Sequence, residues 1–186
     1  MTLLFLLLLL IAPYLILTLV GRWIPSFQTA SVTRARVGLS LFFIFTSIGH
    51  FIRTEGMATM LPPFVPYRVG LIYLTGVLEL LGAIGVWIPR LTRLTGFLLI
   101  LMLVGLLPAN VYSAINRVDF GGHGAGPAYL LVRVPFQLFV TWWTYFATEQ
   151  DWFQRKAKPN KRMHATRDTS LVMFRERCGR ACDARR

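Results

Sequence analysis

Five side chains in this sequence are chemically out of place: His50, Glu79, Asn110, Arg133 and Gln137 each interrupt a long apolar run. A carboxylate in hydrocarbon has to be neutralised, paired or wetted, because lipid tails offer it none of these. Glu79 and His50 are groups of the type that handle a proton. Arg133, Asn110 and Gln137 are of the type that orient a carbonyl oxygen by donating to it. Arg133 and Gln137 are four residues apart, which places them on one face of a helix. Arg133 is the expected counter-ion of Glu79, since pairing would neutralise both and reduce the cost of burying either. The plainer alternative makes Glu79 and Arg133 a structural ion pair and the two amides interhelical hydrogen-bond partners.

The elements that must position these residues are membrane-length. The chain has 186 residues, 55% of them hydrophobic, with a mean hydropathy of +0.55. Apolar runs recur at 2–20, 37–52, 69–88, 94–115 and 128–147, the pattern of an α-helical membrane protein. The expected fold is all-α: a four-helix transmembrane bundle over 35–148, preceded by an extra transmembrane helix at 1–21 and followed by a basic tail at 149–186. The first run lacks a basic leader and is too long for a cleavable signal peptide, so it reads as a retained span. Pro13 is expected to kink it. The second run reaches full length only if the Arg34–Arg36 end snorkels. The loop 53–66 carries Pro62, Pro63 and Pro66, which cannot belong to a regular helix interior. Pro108 deprives the Val104 carbonyl of its intrahelical donor, which a neighbouring helix, a water or a ligand must replace. Gly76, Gly82 and Gly85 suit close helix packing. The Gly-rich segment 116–127 lacks the Gly-Lys-Ser/Thr and the preceding strand of a phosphate loop, and reads as a flexible connection.

Charge supplies the topology. Net charge is +12, and eleven of the 20 Lys and Arg lie after Asp151. With the N-terminus outside, sixteen basic residues fall on the cytoplasmic side and three, Arg53, Arg68 and Arg117, outside. The positive-inside rule therefore favours an N-out, C-in membrane protein. The tail suits disorder in water or contact with anionic lipid headgroups better than a nucleic-acid groove. Cys178 and Cys182, with three residues between them inside it, have no metal-site spacing and read as two reduced thiols. At 1.5 Å per helical residue, Asn110 and Arg133 come out roughly 8 Å deep, and Glu79 and Gln137 roughly 15 Å. His50 is near the outer end of its helix. All five fall in the outer half of the bilayer, which points to one pocket open to the exported side with the 60–66 segment near its mouth. No haem, metal or thiol set is evident, so any electron transfer would rely on a bound organic molecule such as a quinone or on a partner protein. A proton or ion transporter is disfavoured by the lack of polar residues in the inner half.

At Gly49-His50-Phe51, Met60-Leu61-Pro62-Pro63, Gly76-Val-Leu-Glu79-Leu-Leu-Gly82, Ile88-Pro89-Arg90, Pro108-Ala109-Asn110 and Arg133-Val134-Pro135-Phe136-Gln137, followed by Trp142, the chain resembles the DoxX-like family of small bacterial membrane proteins. The likeness covers residues 37–143 and omits the first span and the tail. It implies a four-helix membrane bundle. It also implies a link to redox work, since relatives include a subunit of a thiosulfate:quinone oxidoreductase and a membrane partner of oxidative-stress enzymes. Animal relatives of the wider group act as assembly chaperones, so a non-enzymatic assembly role is the alternative expectation.

Overall fold

The computed structural model describes residues 2–24 and 30–157, without the side chains of 2 and 150–157. Cys178, Cys182 and the rest of the basic tail lie outside the described residues. The described chain is helical: α1 Thr2–Trp23, α2 Ser31–Ile52, the short α3 Thr54–Ala58, α4 Arg68–Gly85, α5 Thr92–Ile115, a 3-10 segment His123–Tyr129, and α6 Leu130–Ala157. Residues 1–150 form one compact unit. α1, α2, α4 and α5 are long and apolar enough to cross a membrane. With 28 residues α6 has the length, but Arg133 and Gln137 interrupt its apolar run. Large apolar side chains such as Leu74, Leu81, Phe97 and Leu101 stand half-exposed around the bundle. Water would not tolerate such a continuous apolar girdle, whereas lipid requires one. This is a multi-pass membrane protein built as a helical bundle.

α2 is the central helix: 44% of its apolar window is buried, against 11% for α1. It begins at Ser31, so the turn carrying Arg34 and Arg36 does belong to it. It packs along α1 on one side and α4 on the other. Missing side chains permit both approaches. A Cβ on Gly38 would collide with the Leu10 carbonyl of α1, and a Cβ on Gly76 of α4 would sit 2.8 Å from the His50 Cβ. The close α2–α4 seam is then bonded through hydroxyls that reach backbone on the facing helix. Ser47 Oγ donates to Gly76 O at 2.8 Å and Ser40 Oγ to Ala83 O at 3.0 Å, while Trp87 Nε1 donates to Ser40 Oγ at 2.8 Å. In hydrocarbon such bonds are favoured because the backbone oxygen has no water to turn to.

The two ends of the bundle differ. Leu10, Ala35, Leu39, Phe43, Val86, Leu99, Val140, Trp143 and Ala147 form a continuous apolar core toward the Arg36 end. That end is tied by Trp143 Nε1 donating to Ala35 O (3.1 Å), Arg36 Nε donating to Ala147 O (2.9 Å) and an Arg93–Glu149 ion pair (3.4 Å). His50, Glu79, Asn110, Arg133 and Gln137 gather toward the opposite, His50 end.

Three local expectations change. The 53–66 connection contains one helical turn, α3, before its prolines, capped onto α2 by Thr54 Oγ1 donating to His50 O at 2.6 Å. The helix α6 continues to Ala157, past residue 148. The Gly-rich segment is folded rather than a loose connection. Gly121, Gly122 and Gly126 take φ of +63°, +98° and +74°, a region closed to most side chains, and this turns the chain tightly enough to bury His123.

Candidate functional site

A cavity of about 630 Å³ lies at the His50 end, and His50, Glu79, Asn110, Arg133 and Gln137 all line it. Four of them are more than nine-tenths buried. Met60 and Leu61, from the connection expected near the mouth, also line it. A shallower hollow of about 470 Å³ around Thr59 and Tyr67 has no buried residue in its lining.

The pairing differs from the expectation. Glu79 meets His50 rather than Arg133: Oε1 lies 3.5 Å from His50 Nε2. Arg133 instead donates from Nη2 to Asn110 Oδ1 at 3.3 Å, with its guanidinium 6.0 Å from the centre of the Phe136 ring. Arg133 and Glu79 influence each other electrostatically across the cavity but do not touch. Gly76 explains the choice. It is one helical turn before Glu79, and its bare surface lets the His50 side chain settle directly over α4. Among the described residues no glycine opens a comparable gap against Arg133.

Proton assignments follow from the partners. The Thr75 hydroxyl donates to Ile72 O at 2.8 Å, so toward His50 Nδ1, 3.2 Å away, it is the acceptor. His50 Nδ1 then donates to that hydroxyl, and Nε2 faces the Glu79 carboxylate. The other carboxylate oxygen, Glu79 Oε2, is buried without a partner, as is Arg133 Nε. The amide donors are committed to backbone. Asn110 Nδ2 donates to Leu106 O at 3.0 Å, and Gln137 Nε2 crosses from α6 to Leu103 O of α5 at 2.8 Å. The latter bond falls one residue before Val104, whose carbonyl is the one that loses its intrahelical donor to Pro108.

The folded Gly-rich segment closes the cavity and brings two residues that sequence reasoning missed. His123 Nδ1 lies 2.8 Å from Phe120 O, and a carbonyl can only accept, so Nδ1 holds the hydrogen. That leaves Nε2 as a buried lone pair without a partner. Burial holds the His123 imidazole below its ordinary range; the Phe120 hydrogen bond opposes this and the Arg133 charge adds to it. The ring is thus a neutral acceptor near neutral pH. Tyr129 packs edge-on against it at 4.7 Å and donates to Gly121 O at 2.9 Å. Burial raises the Tyr129 phenol, with the Arg133 charge opposing, so it stays protonated. Phe120 lies where a Gly56 Cβ would be, locking the segment onto α3. The signal for this was a histidine and a tyrosine among glycines, which apolar periodicity does not register. Leu3 and Leu6 of α1 also line the cavity. Among the described residues no group of three or more His, Cys, Asp or Glu is placed to hold a metal ion.

Three residues that line the cavity thus each carry a buried polar atom without a hydrogen-bond partner: Glu79 Oε2, His123 Nε2 and Arg133 Nε. Residues 39–148 match the model of a family described as "Domain of unknown function (DUF8561)". All seven polar residues of the cavity named above fall within that match, whereas α1 precedes it. No curated protein and no solved structure matches the chain.

Proposed function

The chain belongs to the DUF8561 family, whose function is unknown, and we propose from its cavity that it is a ligand-binding membrane subunit for a quinone-like molecule. The observation that carries this reading is the set of buried, unpartnered polar atoms around one cavity: Glu79 Oε2, His123 Nε2 and Arg133 Nε. Leaving such a group unsatisfied costs about 1–3 kcal/mol, more if it is charged. Three in one place imply that something polar belongs between them. A ring bearing carbonyl or hydroxyl oxygens suits the set. Its oxygen accepts from Arg133, and a hydroxyl hydrogen on the reduced form is taken by Glu79 or His123. The His50–Glu79 pair, an imidazole beside a carboxylate, is suited to hold or release a proton beside such a ring. The cavity volume lies within the ordinary range for a small organic ligand.

The resemblance to DoxX-like proteins supports a redox-associated role, with electrons passed to or from a membrane or redox partner. The distribution of Lys and Arg supports an inner-membrane protein with α6 as a fifth span, its N-terminus and cavity facing the exported side, and its basic tail against anionic headgroups. A second reading, a non-enzymatic assembly protein, draws on the amides: Asn110 and Gln137 spend their donors on α5 backbone, as helix-joining residues do.

The test is to purify the protein in mild detergent, analyse the solvent extract by mass spectrometry, and measure thermal stability with a decyl-substituted benzoquinone and its quinol. Co-purified quinone, or a rise of roughly 5 °C or more at a hundredfold excess over Kd, is expected. No bound quinone and no shift with either oxidation state would leave the assembly reading in possession.

A further inference from the structure

The helix that the family match leaves out contributes to the cavity. Leu3 and Leu6 of α1 line it, one helical turn apart. Leu10, one turn further on the same face, is fully buried where Gly38 leaves room for it, and Phe5 meets Phe45 of α2 at 5.1 Å. The rest of α1 is turned outward: Leu4, Leu8, Leu15, Ile16 and Leu19 are 55–60% exposed. α1 packs along α2, its Tyr14 ring meets Trp143 of α6 edge-on at 5.5 Å, and among the described residues it makes no comparably close approach to α4 or α5. It is a wall fastened to α2 and α6.

The wall it forms is apolar. Leu3, Leu6, Phe42, Phe45, Phe136 and Val140 line the cavity together with the polar residues, so the enclosed space is amphipathic. A small polar molecule would satisfy Glu79, Arg133 and His123 yet leave this lining unfilled, and empty space against packed side chains forfeits dispersion contacts. We propose that α1 is part of the ligand site: Leu3 and Leu6 close the apolar side of the cavity over the hydrocarbon chain of a membrane-dissolved ligand whose oxygen-bearing head lies among Glu79, Arg133 and His123. This rests on the ligand-binding reading above and adds to it the ligand's class, a ring with a long apolar tail. It also gives α1 its task. Because α1 is fastened to α2 and stands clear of α5, the chain reaches the cavity from the bilayer alongside α1 rather than from water.

Photolabelling tests this on the full chain in nanodiscs. The probe is a benzoquinone with a diazirine on a ten-carbon chain, and excess unlabelled decyl-benzoquinone is the competitor. Competable label at α1 around Leu3–Leu6 is expected. Competable label confined to other helices overturns the role of α1 while ligand binding stands. No competable label anywhere overturns ligand binding itself. A substitution gives the second arm. Leu6→Trp fills the tail space and is expected to weaken the decyl compound at least tenfold, leaving the tail-less benzoquinone unchanged. Leu8→Trp, on the lipid-facing side of α1, changes neither. Equal affinity of Leu6→Trp and wild type for the decyl compound would also overturn the proposal, and the labelling arm stands if that variant fails to fold.

Discussion

Removing the His50 ring is the sharpest test of how the cavity is held. His50 and Glu79 are both more than nine-tenths buried, and each supplies the other's nearest charged contact, at 3.5 Å. In His50→Leu the carboxylate loses that contact while Oε2 already has none, so both oxygens are left buried and bare. Breaking a buried pair from one side costs about 3–5 kcal/mol. Glu79→Met leaves a ring nitrogen unpartnered, at about 1–3 kcal/mol. The double variant removes both charged groups and the reason for either penalty, so its stability should return to within about 1 kcal/mol of wild type. The coupling energy is then at least ~2 kcal/mol, since coupling is the failure of the single losses to add. The same cycle for Glu79→Met with Arg133→Met should give a clearly smaller coupling, because those side chains are not in contact. Reversible unfolding in mixed detergent micelles, followed by far-UV circular dichroism, measures all five variants. A Glu79–Arg133 coupling as large as that of Glu79–His50 would refute the assigned pairing.

Two further outcomes follow from packing and titration. The His123 imidazole titrates lower folded than unfolded, so the unfolded chain takes up its proton first on acidification. Its contribution is therefore complete above about pH 6.5 and is lost as pH falls below that; His123→Phe should show a smaller drop in Tm between pH 8 and pH 5.5 than wild type, and an equal drop would contradict the buried neutral ring. Gly38→Val drives a side chain into the Leu10 carbonyl and should cost about 1–3 kcal/mol, with α1 levered off α2; a cysteine placed at Leu6 should then become reactive to a membrane-permeant maleimide, and an unchanged labelling rate would count against the tight α1–α2 contact.

How much the sequence discloses depends on what kind of interaction is at stake. Depth along a helix is additive in residues, so the gathering of His50, Glu79, Asn110, Arg133 and Gln137 at one end of the bundle could be counted from the chain. Which of them touch depends on helix rotation and on local bulk. Counting places Arg133 about 7 Å above Glu79, within reach of a long side chain, but Gly76 gives His50 the nearer approach, and that is a property of a missing side chain. Glycines at 76, 82 and 85 signalled close packing without saying what would fill the space beside them. The segment 116–127 failed for a different reason. Glycine marks both slack chain and turns that require positive φ, and only the folded partners, Tyr129 on Gly121 and Phe120 on Gly56, distinguish the two. The turn of helix at α3 was hidden because three prolines lower in the same connection dominated its reading.

The Gln137–Leu103 bond bears on how the protein is made. Pro108 leaves α5 with a defect in its backbone hydrogen bonding, and α6 carries a guanidinium and an amide that hydrocarbon rejects. α5 answers the needs of α6: Leu103 O accepts from Gln137, and Asn110 Oδ1 accepts from Arg133. α5 is apolar enough to span by itself, whereas α6 becomes a comfortable span beside it. During synthesis α5 should accordingly wait beside the translocon until α6 emerges, and the two should leave for the bilayer as a hairpin. A ribosome stalled before α6 has cleared its exit tunnel would be holding a half-inserted protein.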